Sequence, residues 1–277
     1  MSALSIGKAW DEASAFLVRE ARLVVPVALA MFAVPAILMG WANPEGQPAT
    51  APGGLGWPLT VIALLITMVG QMTVAALAIG WSGSVGSALH LASRRVWGML
   101  ASVVLVFLPV TTIAFIVLAA LIGSAGLTDA SQITPESLAK VPGVGLFILF
   151  LVVLFVAIGV RLFPVSAVAI SETSHPIALL KRSWRLTKGH SGRILVVLLL
   201  ILAAAMISSA AVTTVVGSLM ALTVGELRPF SLSALITALA DGVVAAAITA
   251  ISSSLVGRIY VQLTAGQPSV PDVPRER

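Results

Sequence analysis

The chain has 277 residues, 58% of them hydrophobic and only 10% charged, with a formal net charge of +5 and a mean hydropathy of +1.07. A soluble domain has about 25% charged residues, so this composition excludes a water-soluble globular protein. The absence of cysteine excludes disulfides, thiolate metal sites and cysteine nucleophiles. The pI near 10.4 arises from few charges that flank apolar runs, so anionic lipid headgroups are the expected partner and no nucleic acid is.

Residues 1–22 carry both signs, with Lys8, Asp11, Glu12, Arg19, Glu20 and Arg22. This is unlike the short basic start of a cleaved secretory signal, so the first apolar run is expected to remain as a span. On a helical wheel Ile6, Trp10, Ala13 and Leu17 oppose Lys8, Glu12, Ala15, Arg19 and Arg22, which predicts an amphipathic surface helix with an i,i+4 Lys8–Glu12 pair.

Beyond it, Leu23–Pro44, Gly46–Ser93, Val96–Thr128, Val141–Val160, Ile194–Gly225 and Gly242–Gly257 contain no Asp, Glu, Lys or Arg. A bilayer core is crossed by roughly 20 apolar helical residues, and lipid forces the backbone to satisfy its own hydrogen bonds. The pattern predicts an all-α, polytopic membrane protein with six spans near Leu23–Trp41, Trp57–Trp81, Trp97–Gly123, Val144–Phe163, Ile194–Leu222 and Leu235–Val256. Trp41, Trp57, Trp81 and Trp97 sit at expected span ends, where indole rings favour the headgroup layer. The expected organisation is an amphipathic helix in 1–22, a six-helix membrane domain in 23–265 and a short tail in 266–277. The connections on the other side, around Asn43–Gly56, Ser124–Gly143 and Val224–Ser231, are too short for an enzyme domain.

Two further surface helices are expected. In one, Val85, Leu89, Ala92 and Val96 oppose Ser87, His90 and Arg94; Pro109, in the span that follows, predicts a kink. In the other, Ser174 or His175 caps the start, Pro176 fits the first turn and Gly189 the end. There Ile177, Leu180 and Trp184 cover one arc while Lys181, Arg182, Arg185 and Lys188 crowd the opposite one, the pattern of a helix lying in the headgroup layer. The simpler reading of this helix is a topology anchor; the sharper is recognition of anionic lipid or a protein partner at Lys181, Arg182, Trp184, Arg185 and Lys188. Aligning Ser84–Trp97 with Ser174–Thr187 superposes Ala88-Leu89 on Ala178-Leu179, Ser93 on Ser183 and Arg95 on Arg185, which suggests a repeated unit of surface helix plus hairpin.

Lys8, Arg19, Arg22, Arg94, Arg95, Lys181, Arg182, Arg185, Lys188, Arg193, Arg258, Arg275 and Arg277 all fall on one side of this topology, and only Lys140 and Arg228 on the other. Positive flanks are retained in the cytoplasm, so both termini are expected there. Arg161, near the inner end of the fourth span, can snorkel to the same side.

The stretch Phe163-Pro164-Val165-Ser166-Ala167-Val168, continuing through Ala178–Gly189 to Arg193-Ile194-Leu195, resembles the glycerophosphoryl diester phosphodiesterase membrane-domain family of bacteria. The Ser183–Gly189 core carries the resemblance, and Tyr260–Leu263 also fits. The resemblance implies a six-span module in a bacterial cytoplasmic (inner) membrane, fused in some relatives to a (β/α)₈ phosphodiesterase for which this chain has no soluble stretch. It carries over no catalytic residue.

No constellation of catalytic side chains stands out. His90, His175 and His190 lack zinc-ligand spacing, Gly53, Gly54 and Gly56 form a turn, and Gly83-Ser84-Val85-Gly86 fits neither a phosphate loop nor a nucleophile elbow. No cofactor or metal is expected. Asp241 is the one acidic residue within an expected span: either a structural residue close to the outer boundary or a proton relay. Arg161 pairs with it only if helix offsets match their depths. Gln71, with Thr67 and Thr73, and Thr111-Thr112 add polarity within spans, and interhelical hydrogen bonds account for these. Small residues recur at i,i+4 along the fifth span (Ala205, Ser209, Thr213, Gly217) and the sixth (Ala238, Gly242, Ala246, Ala250, Ser254), which predicts that these spans pack together or that one ladder joins an oligomer. The expectation is a non-enzymatic, membrane-organising or lipid- or partner-binding module. A transporter or permease-like module for a small solute or lipid is the alternative, and a lipid-acting enzyme the third.

Overall fold

The computed structural model describes residues 5–44, 56–126, 134–172 and 175–265. The expected tail 266–277, residues 45–55 and 127–133 of the first two outer connections, Ser174 and the side chain of Trp57 lie outside the described residues. Within them the fold is all-helical, with no strand and six segments long and apolar enough to cross a membrane: Ala21–Ala42, Pro58–Ile79, Val85–Ser124, Val144–Ser171, Ser191–Thr223 and Leu232–Thr264. The protein is a multi-pass membrane protein.

Helix α1 (Ile6–Arg19) starts on Ser5, whose hydroxyl accepts the Lys8 N–H, and ends at Glu20. Lys8 and Glu12 stand 3.8 Å apart at i,i+4. Its buried side chains are Ala9, Ala13 and Phe16, so the packed face is turned from the expected one and leaves Trp10 half exposed.

The first span is three pieces: α2 (Ala21–Ala28), a π-helical segment Leu29–Ala33, and α3 (Val34–Ala42). Pro26 and Pro35 bracket the π segment. Proline lacks an N–H and clashes with the carbonyl four residues back, and widening the turn between two prolines absorbs both defects. Phe32 and Ala33 of this segment are buried.

Helix α4 (Gly56–Ile79) turns at Gly80, whose φ of +104° a side chain would strain, into α5 (Val85–Ser124). Val85–Val96 is not a separate surface helix but the first three turns of a 40-residue helix that continues through Pro109 to Ser124. No glycine or proline interrupts Leu89–Trp97, and Ala88, Ala92, Val96 and Met99 bury against protein rather than headgroups. Trp97, placed at a span end by the sequence, is therefore well inside a helix, and exposed.

A short α6 (Pro135–Lys140) precedes α7 (Val144–Leu162). The Phe163-Pro164 corner then redirects the chain into α8 (Val165–Ser171), in which Val165 through Ile170 are all buried. Helix α8 is wedged among α4, α5, α9 (Pro176–Thr187) and α11 (Leu232–Thr264). Its burial makes the end of the bundle where α9 lies the densely packed one: Met68, Met72, Ala88, Ala92, Leu162, Val168, Leu179 and Tyr260 share one core cluster. Helix α10 (Ser191–Thr223) packs on α7 and along α11.

Helix α11 is the hub, in contact with α1, the π segment, α3, α4, α8 and α10. Its ladder Ala238, Gly242, Ala246, Ala250 and Ser254 is wholly buried. That ladder faces the first two spans, not the fifth: a Cβ on Gly242 would stand 2.5 Å from Ile37 Cγ1, and Ala246 and Ala250 cluster with Phe32, Ala33, Val74 and Ala78. Helix α10 meets another face of α11, with Gly217 near Thr237 and with Ala205 and Ser209 opposite Asp241, Val244 and Ala245. Thr213 is exposed. The lone hydroxyls within spans mostly bond their own helix: Thr73, Thr111 and Thr112 donate to carbonyls four residues back at 2.8 Å, where interhelical bonds were expected.

Candidate functional site

Ser5 N–H donates to Gln262 Oε1 at 3.3 Å, so the two ends of the described chain meet at the end of the bundle that α9 occupies. Lys181, Arg185 and Lys188 gather at this basic end.

Helix α9 begins at His175, with Pro176 in its first turn, and closes before Gly189, whose φ is +88°. Its buried face is Leu179, Ser183, Leu186 and Thr187. Polar contacts from its neighbours fix the helix. Ser183 Oγ donates to the Arg161 carbonyl at 2.6 Å, Ser102 Oγ of α5 shares its proton between the Gly98 carbonyl of its own helix at 2.8 Å and the Pro176 carbonyl at 3.2 Å, and Arg182 Nε donates to both Glu172 oxygens at 2.7 and 2.9 Å. The Arg182 and Glu172 side chains are only 11% and 20% exposed. Tyr260 Oη of α11 donates to Glu172 Oε1 at 2.7 Å. Arg95 Nη1 of α5 donates to the Ala169 and Ile170 carbonyls, both at 3.0 Å, and so caps the carbonyl end of α8. Helices α5, α8, α9 and α11 are thus tied together next to Glu172.

This assembly changes the composition of the expected basic patch. Arg182 belongs to the interior clamp, which its position on the wheel, between the exposed arc and the Leu186–Leu179 face, explains. Exposed on α9 are Ile177 (49%), Lys181, Trp184 (51%), Arg185 and Lys188. Apolar and cationic side chains therefore share one outward arc, with the packed face behind them. The Arg161 guanidinium lies 5.2 Å from the Trp184 ring centroid and its Nη1 is 3.5 Å from Thr187 Oγ1, so Arg161 reaches this end of the bundle and fixes the indole.

Asp241 is elsewhere. It projects from α11 into a cavity of about 160 Å³ between α10 and α11, shared with Ser209 and Thr249, and has no hydrogen-bond or ion-pair partner among the described residues. Arg161 is not among the residues around it. The aromatic rim at this end is Trp41 against Phe230, centroids 5.4 Å apart, with Trp41 Nε1 donating to the Ser231 carbonyl. Asp241 is the tenth residue of α11, about 15 Å along the helix from Ser231 at 1.5 Å per residue. Helix α11 starts at Leu232, three residues before the expected Leu235. Gln71 is partly buried on α4. Among the described residues no three His, Asp or Glu side chains gather as a metal site.

Glu172 and Tyr260 escaped the sequence reading as site residues. The signal was present, since Glu172 is the one acidic residue between Arg161 and Arg193, a segment holding six cations.

The fold and this end of the bundle define an all-helical, six-span membrane protein with a docked amphipathic basic helix. Residues 4–263 match the family described as a domain of unknown function, DUF7847, and the chain belongs to that family. The match overturns the resemblance to the glycerophosphoryl diester phosphodiesterase membrane family, to which nothing in the comparisons points. The structure shows why the Ser183–Gly189 core misled: Ser183 and Thr187 are packing and hydrogen-bonding positions and Gly189 is a helix stop, roles that any short docked helix requires. No curated protein and no solved structure matches the chain.

Proposed function

We propose that the protein is a non-enzymatic organiser of the cytoplasmic membrane, oriented with its basic end and both termini inside, whose α9 face binds anionic phospholipid headgroups. The observation that carries this reading is the outward arc of α9: Ile177 and Trp184 beside Lys181, Arg185 and Lys188, on a helix without an acidic residue. An indole and an isoleucine enter the acyl boundary while adjacent cations meet phosphates. Each cation near an anionic surface contributes about 1 kcal/mol. The clamp through Glu172, Ser102 and Arg161 holds the arc in place beforehand, so little ordering cost attends binding. The excess of Lys and Arg at this end supports the orientation.

The test is lipid preference. Reconstituted into nanodiscs of mixed phosphatidylglycerol and phosphatidylcholine, the wild type should enrich phosphatidylglycerol in its annulus, and Lys181→Gln/Arg185→Gln/Lys188→Gln should lose most of that enrichment. Equal enrichment by both proteins would refute the reading.

A second reading, a transporter, rests on unpartnered Asp241 at a cavity inside the membrane. It requires a flux in proteoliposomes that Asp241→Asn abolishes.

A further inference from the structure

A feature separate from the α9 arc lies where α1 meets α10 and α11. Between α10 and α11, near the basic end, runs a groove of about 370 Å³ walled by Leu200, Ala204, Ile251 and Leu255, with Ile6 and Trp10 of α1 laid across it. Its volume is within the roughly 300–1,000 Å³ of small-molecule sites. Apart from Ser252 every side chain that lines it is hydrocarbon or indole. The groove meets the Asp241 cavity at Ile248, which lines both.

Toward the basic end the same helices change character. On α10, Arg193 comes one turn before the groove residue Val197 and is exposed. On α11, Gln262 follows Leu255 by two turns on the same face; its Oε1 accepts the Ser5 N–H beside Ile6, while its Nε2 is buried without an acceptor. Arg258, one turn short of Gln262, sits over Phe16 of α1 at 5.6 Å with its Nε also buried and unpartnered. Native structures leave few buried donors unsatisfied. Two such donors lie one turn apart on α11 at the end of the groove, and Arg193 adds a cation on the groove side of α10.

We propose that this flank holds one anionic phospholipid from the leaflet at the basic end, with an acyl chain in the α10–α11 groove under Trp10 and its phosphate against Gln262, Arg258 and Arg193. The donors call for a phosphate, the cations for net negative charge, and the carbon-lined groove for a chain. The indole of Trp10 closes the groove at headgroup level, and Ile248 ends it before the Asp241 carboxylate. The site is distinct from the α9 arc and shares no residue with it.

Native mass spectrometry of the full chain, delipidated and then titrated with phosphatidylglycerol or chain-matched phosphatidylcholine, tests this. The wild type should retain a single phosphatidylglycerol. Ala204→Trp, which fills the groove, should weaken that retention about tenfold or more, whereas Lys181→Gln/Arg185→Gln/Lys188→Gln should leave it unchanged. Equal retention of phosphatidylcholine, or undiminished retention by folded Ala204→Trp, would overturn the proposal. If Ala204→Trp does not fold, phosphatidylglycerol with brominated chains serves instead: the fluorescence lost by the wild type beyond that lost by Trp10→Phe should saturate at one lipid per chain. A non-saturating difference rejects the site.

Discussion

Glu172 holds Arg182 at 2.7 Å in a pair that water scarcely reaches, and this single contact takes one cation out of the α9 patch while binding the helix to the bundle. Removing either partner strands a charge in a site that has lost its counter-ion. Glu172→Gln and Arg182→Gln should each destabilise the fold by about 3 kcal/mol, whereas the double replacement, with no charge left, should recover part of the loss. Thermal unfolding in detergent micelles across the double-mutant cycle measures the coupling. Additive losses would show that the pair contributes nothing of its own. Tyr260→Phe, which leaves the ion pair but removes its third member, should cost less, about 1 kcal/mol.

Orientation is tested with equal directness, because the chain has no cysteine to give background. A cysteine replacing exposed Arg185 should react with a membrane-impermeant maleimide only after the cells are opened. Labelling from outside intact cells would invert the topology and remove the anionic cytoplasmic leaflet from the argument for α9.

The helical class and the spans were legible because their signal is composition over twenty residues, which no tertiary contact can override in lipid. What the sequence concealed were choices that depend on a neighbour. Ala88, Ala92 and Val96 form the same stripe whether it meets lipid headgroups or α8, and only the burial of Val165–Ile170 reveals which. Arg182 looks like its basic neighbours until Glu172, ten residues earlier and at the end of α8, is brought beside it. The small ladder of α11 announces close packing but not against which helix. The adjacent α10 does pack along α11, but the ladder itself meets the first two spans, at Ala33, Ile37, Val74 and Ala78.

Close approach on the hub helix gives a sharp mutational contrast. A Cβ on Gly257 of α11 would lie 2.8 Å from Ala78 Cβ and 2.9 Å from the Ala75 carbonyl oxygen, part of a helix backbone that cannot step aside. Gly257→Ala should therefore cost about 1–3 kcal/mol through overpacking and separation of α11 from α4. At Gly145, in the first turn of α7, the same addition meets nothing within 4 Å, and alanine there should be neutral or raise stability by up to about 1 kcal/mol through helix propensity. Melting temperatures that fall equally for the two variants would mean that the α4–α11 seam is looser than its geometry.

Asp241 sits where a carboxylate is costly and has no partner to offset the cost. If its only role is to occupy the α10–α11 seam, Asp241→Leu removes that cost and adds apolar packing next to Val244 and Ala245. The protein should then become more stable by about 1–3 kcal/mol, given the roughly 2.5–3.5 kcal/mol assigned to a charged side chain at a helix centre. The melting temperature of Asp241→Leu in micelles should rise above that of Asp241→Asn, which keeps the polarity without the charge. A fall in both would show that the carboxylate stabilises the fold through a partner such as bound water, and that it is no cost to it. A rise in stability accompanied by loss of a proteoliposome flux would instead identify Asp241 as a residue kept for function at the expense of the fold.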